Sequence, residues 1–69
     1  MCTLVICRRP GEKWPLLIAA NRDEKLDRPW LAPARHWEDR PDVYGGKDLL
    51  EGGTWLAIND FGVVAAVLN

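Results

Sequence analysis

Two short apolar runs, Thr3 to Cys7 and Trp14 to Ala20, flank the polar segment Arg8-Arg9-Pro10-Gly11-Glu12-Lys13. The Pro-Gly pair marks a turn, and runs of this length bounded by a turn read as strands rather than as helices with a buried stripe. Thr3-Leu4-Val5-Ile6-Cys7 is β-branched or apolar at every position, which implies a strand covered on both faces. Folding one run onto the other gives a hairpin that sets Cys2 across from roughly Ala20 to Asp23. Neighbouring antiparallel strands lie about 5 Å apart. The second residue of the chain is therefore expected beside the polar cluster Asn21-Arg22-Asp23-Glu24, which ends the apolar run abruptly.

A second hairpin is expected near the end. Gly52-Gly53 lets the backbone turn, Thr54 to Ile58 reads as a strand, Asn59-Asp60-Phe61-Gly62 as a four-residue loop, and Val63 to Leu68 as the returning strand. Between the hairpins, Lys25 to Asp48 follows neither period. Pro29, Pro33 and Pro41 interrupt it, and it reads as a long loop of the kind that forms lids or binding loops. No amphipathic helix longer than two turns can be drawn anywhere. Four strands apolar on both faces need covering layers, so the expectation is an N-terminal fragment of a longer single domain spanning residues 1–69, or a chain that finds its missing layers in a homo-oligomer.

Composition narrows the class. With 69 residues, 48% hydrophobic, 28% charged and a net charge of −1, the chain is at most one small globular domain. Nothing in that charge favours nucleic acid or anionic membranes. The apolar runs fall far short of the roughly 20 residues that span a bilayer, and no signal-like segment precedes them, so the expected location is cytoplasmic. Cys2 and Cys7 lie five residues apart on one strand and point to opposite faces, which argues against a disulfide or a shared metal site. Cys7 reads as a small core residue.

Cys2 has a different chemistry open to it. Initiator methionine is usually removed before a small residue, and cysteine is small enough. An N-terminal cysteine carries its own α-amine, whose ordinary pKa of about 7.7–8.0 suits it to serve as base toward the thiol or toward water. Arg22 would favour the thiolate by opposite charge, and Asp23 would accept hydrogen bonds from the amine. The structural alternative is a polar turn closing the strand, with Glu24 as scaffold. Asn69, which ends an apolar strand, is the candidate donor to a developing oxyanion, or else a cap. Asn59 reads as a turn residue. His36, the single histidine, lies in the irregular segment and reads as a surface residue.

Taken together, Met1-Cys2, Ala19-Ala20-Asn21-Arg22-Asp23-Glu24 with Arg28-Pro29, Gly46-Lys47-Asp48 and Gly52-Gly53-Thr54-Trp55-Leu56 resemble the family named for its Asn-Arg-Asp-Glu motif, which includes the transport and Golgi organisation proteins. That family is similar to the N-terminal nucleophile cysteine hydrolases of the penicillin V acylase and bile salt hydrolase type. The resemblance implies an α+β fold, the αββα four-layer sandwich, in which this chain supplies two β-hairpins joined by a long loop. It implies Cys2 as nucleophile and base, Asp23 holding the amine, Arg22 near the thiolate and Asn69 supporting the oxyanion, with no cofactor. The implied reaction is hydrolysis of a non-peptide C–N amide bond in a small molecule, the 69 residues alone being inactive. The alternative is a non-catalytic binding or trafficking protein for haem or lipid, contacted through His36 or Cys2.

Overall fold

The computed structural model describes residues 2–68. Strands β1 (Thr3–Arg8) and β2 (Leu16–Asn21) form the first hairpin, with Thr3 opposite Asn21 and Ile6 opposite Ile18. Its turn is closed by Arg9 N donating to the Pro15 carbonyl at 2.8 Å and by Glu12 N donating to the Arg9 carbonyl at 3.2 Å. Gly11 takes φ 91°, a left-handed conformation in which a side chain would be strained.

The other four strands, β3 (Trp30–Ala34), β4 (Val43–Asp48), β5 (Leu56–Asn59) and β6 (Val64–Ala66), make a second sheet in the order β3-β4-β5-β6. Each neighbouring pair is antiparallel. The expected second hairpin is β5–β6, with Ile58 opposite Val64. Asn59 ties its turn, its Oδ1 accepting from Phe61 N at 3.0 Å and Val63 N at 2.9 Å.

Two expectations need correcting. The segment from Lys25 to Asp48 is not one long loop, because it contains β3 and β4. Pro33 is tolerated because β3 is an edge strand, where a missing N–H costs no ladder bond, and the register slips between Leu31 and Ala34 around it. Gly45 and Gly46, poor strand formers in isolation, are both buried. A Cβ on Gly45 would meet the Leu56 carbonyl oxygen at 2.6 Å and Ala57 Cβ at 2.8 Å, and one on Gly46 would run into the Trp55 ring. Close approach of neighbouring elements, not local propensity, makes β4 a strand. The second correction concerns the α+β class. The described residues are all-β, with six strands rather than four and no helix.

The two sheets face each other across an apolar seam. Cross-strand neighbours share a face, so Leu4, Ile6, Leu16 and Ile18 lie on one side of the first hairpin, where they line a cleft with Val64 and Ala66 of β6. Ile18 also lines an adjoining cleft of about 280 Å³ with Tyr44, Leu56, Ile58 and Val64. The Cα trace is 15 Å through its thinnest direction, room for two sheets stacked about 10 Å apart and no third layer. Val5 and Leu17, on the outer side of the hairpin, are 58% and 53% exposed, and no apolar side chain among the described residues is buried. On the facing side Ile6 and Leu16 are 60% and 43% exposed, so strands expected to be covered on both faces are fully covered on neither.

Candidate functional site

The β1–β2 ladder ends at the pair Thr3 and Asn21. Just beyond it the half-buried Cys2 lies beside Asp23, its Sγ 3.9 Å from the Asp23 carbonyl oxygen. With Met1 present, the chain's amino terminus, which is not the α-amine of Cys2, holds the Asp23 carboxyl below its ordinary range, through a side-chain hydrogen bond first and its charge second, against an opposing effect of desolvation. The hairpin register thus brings Cys2 and Asp23 together as the sequence suggests. Asn69 lies outside the described residues.

Arg22 is held against Trp55 and Asp48. Its guanidinium Cζ sits 4.2 Å from the centre of the Trp55 ring, and its Nη2 lies 3.8 Å from Asp48 Oδ1. A planar, weakly hydrated cation over an aromatic face is attracted by the ring quadrupole, and the carboxylate adds opposite charge. The side chain therefore crosses from the end of β2 to the second sheet.

Asp48 is the hub of that crossing. It is 8% exposed, the buried polar residue of the described chain. Arg28 grips it with Nε to Oδ1 at 3.0 Å and Nη2 to Oδ2 at 2.7 Å, and Glu51 N donates to Oδ2 at 3.3 Å. Arg28 also lies 3.6 Å from Glu24. The Arg28 hydrogen bond lowers the Asp48 pKa to about 2; desolvation opposes this, and the charge of Arg28 and the Leu50 and Glu51 amides assist. The same hydrogen bond raises the pKa of Arg28.

Backbone turns fix the hub. Asp48 N donates to the Gly53 carbonyl at 2.8 Å and Gly52 N to the Asp48 carbonyl at 2.7 Å, with Gly52 at φ 84°. Leu49 N donates to the Pro29 carbonyl at 3.0 Å, which brings the Arg28 segment alongside. Trp55 is seated over Gly46 and meets Trp30 edge-on at 6.2 Å between centroids. Thr54 shapes the approach, its Oγ1 donating to the Leu56 carbonyl at 2.9 Å.

Asp48, Arg28 and Trp55 are the residues that reasoning about catalytic types passed over. All three stand in the motifs that carry the family resemblance. His36 is engaged structurally, with Nε2 donating to the Ala32 carbonyl at 2.8 Å and its ring edge-on to Trp37 at 5.6 Å. Trp37 in turn donates from Nε1 to the Gly52 carbonyl at 2.9 Å. Among the described residues no group of three or more His, Cys, Asp or Glu could hold a metal ion, and no helix is long and apolar enough to cross a membrane.

Comparison with known proteins places this geometry in a family. The Transport and Golgi organisation 2 family model matches residues 1–69. The chain is 43% identical over 79 residues to Transport and Golgi organization protein 2 of Drosophila melanogaster, covering 100% of this chain and 27% of that protein. It is 44% and 41% identical over 66 residues to the homologues of Bos taurus and Homo sapiens, covering 88% of this chain and 24% of each relative. The chain thus spans about a quarter of the length of these relatives. No solved structure matches it. A family model that covers every residue and relatives above 40% identity from fly and mammals agree, and the chain belongs to the Transport and Golgi organisation 2 family.

Proposed function

We propose that this chain carries the nucleophile of an N-terminal-cysteine amide hydrolase within a cytoplasmic transport and Golgi organisation protein. The observation that carries the reading is the approach of the Cys2 thiol to Asp23 at the open end of the first hairpin. With Met1 removed, the α-amine of Cys2 takes the thiol proton and the sulfur attacks the carbonyl carbon of a small non-peptide amide. Asp23 holds and orients the amine. Asn69 donates to the oxyanion of the tetrahedral intermediate. The C–N bond then breaks, the leaving amine takes the proton, and water hydrolyses the thioester to release the acid and regenerate the thiol. The helical layers of the αββα sandwich, and the rest of the site, would come from the remainder of the longer protein, covering the open faces at Val5 and Leu17.

The test is turnover of N-acyl amides by the full-length protein. Cys2→Ala abolishes it and Asp23→Asn lowers it by about 10²-fold or more, the range of a positioned acid–base group, while both variants stay folded. Turnover by Cys2→Ala equal to that of the unaltered protein would rule the reading out.

A second reading is favoured by the names of the relatives, which refer to transport and Golgi organisation, and by the engagement of Arg22 with Trp55 and Asp48. On it the fold binds and carries an apolar ligand such as haem or a lipid without catalysis, the cleft lined by Ile18, Tyr44, Leu56 and Ile58 being the apolar surface available. A haem Soret shift that is lost in Cys2→Ala or His36→Ala, without amide turnover, would select it.

A further inference from the structure

We infer that Asp48 is a positioning residue for the Cys2 site and acts on it through Arg22. The inference rests on the reading of Cys2 as a nucleophile. Residues 22–25 follow the last described ladder pair, Thr3 with Asn21, and lie outside the strands. The side chains on either side of Asp23 both lead to Asp48. Arg22 reaches it at 3.8 Å while stacked on Trp55, and Glu24 reaches it through Arg28, which it meets at 3.6 Å. Asp23, the residue between them, presents its carbonyl to the Cys2 thiol. Asp48 is itself immobilised by the Arg28 fork, the Glu51 amide and the tight turn to Gly53. The end of β2 is thereby bolted to the second sheet one residue away from the group that orients the amine. Misplacing a reacting or orienting group by about 1 Å can cost on the order of 100-fold in rate.

The test uses the full-length protein with Met1 removed and p-nitrophenyl acetate as acyl donor. The Cys2 sulfur bonds to the acetyl carbon, the C–O bond breaks, p-nitrophenolate leaves, and the α-amine takes the thiol proton. Intact and peptide mass separate acetylation of Cys2 from that of Cys7, which serves as an internal control on the opposite face. Asp48→Asn and Arg22→Gln are each expected to slow Cys2 acetylation by about tenfold or more at a temperature where both variants are folded, with Cys7 unchanged. The double variant is expected to be no slower than either single one, because the two residues act in series. Arg22→Lys, which keeps the charge but not the planar stack, should recover part of the rate. Should Asp48→Asn fail to fold, Arg22→Gln and Arg22→Lys carry the test alone.

Rates within twofold of the unaltered protein in Arg22→Gln, while Asp23→Asn is slow, would overturn the bolt and leave the nucleophile reading standing. Equal changes at Cys2 and Cys7 would reduce Asp48 to a structural role and also overturn it. If Asp23→Asn leaves the Cys2 rate unchanged as well, it is the nucleophile reading that fails.

Discussion

Arg28 and Asp48, twenty residues apart in the chain, meet as a fork on a carboxylate, with hydrogen bonds of 3.0 and 2.7 Å. Two parallel N–H donors in a rigid plane match the two oxygens of a carboxylate, which makes such a pair directional as well as charged. The fork joins the segment leaving β2 to the last residue of β4. It ties the segment that leaves the first hairpin to the second sheet.

Acid should release it. The folded Asp48 pKa is lowered to about 2 from an ordinary 3.8, so the unfolded chain takes up the proton first. The stabilisation is complete above pH 3.8 and is lost as pH falls from there through about 2. Trp55 fluorescence in the full-length protein should report a transition in that window, and Asp48→Asn should remove this share of the pH dependence. An unaltered acid profile in Asp48→Asn would show that other carboxylates govern it.

Two glycines in the family motifs should respond oppositely to alanine. Gly46→Ala drives a methyl group into the Trp55 ring, with cost of about 1–3 kcal/mol as in other overpacked sites, and it disturbs the stacked Arg22. Gly53→Ala meets open space without a left-handed φ, and should change stability by no more than about 0.5 kcal/mol. Thermal unfolding of the two variants checks the order, and equal losses would contradict the seating of Trp55 on Gly46.

Arg28 and Arg35 both make forked ion pairs, yet they should not be equivalent. Arg35 pairs with Asp60 at 2.6 Å, but both side chains are about half exposed, whereas those of Arg28 and Asp48 are 28% and 11% exposed. Water and salt screen the outer pair. Arg28→Lys should lower the melting temperature clearly and Arg35→Lys hardly at all, in a comparison of the two variants by thermal denaturation. A larger loss from Arg35→Lys would reverse the assignment.

These features differ in how plainly the sequence showed them. The β1–β2 and β5–β6 hairpins were readable because their signals are local: continuous apolar runs separated by Pro10-Gly11 or by Asn59 to Gly62. β3 and β4 were hidden by Pro33 and by Gly45-Gly46, whose strand character depends on an edge position and on the close approach of Ala57 and Trp55. At the site, Cys2 and Asp23 followed from hairpin register alone. Arg22 suggested a thiolate partner because it is next to Asp23 in sequence, but its Trp55 and Asp48 contacts lie across a fold that periodicity does not describe.

The most direct measurement is mass spectrometry of the full-length natural protein before and after treatment with an electrophilic β-lactam. The expected result is an N-terminus beginning at Cys2, one acyl adduct on the N-terminal peptide, and no adduct in Cys2→Ala. Retention of Met1, or an adduct that persists in Cys2→Ala, would contradict the assignment of Cys2 as nucleophile.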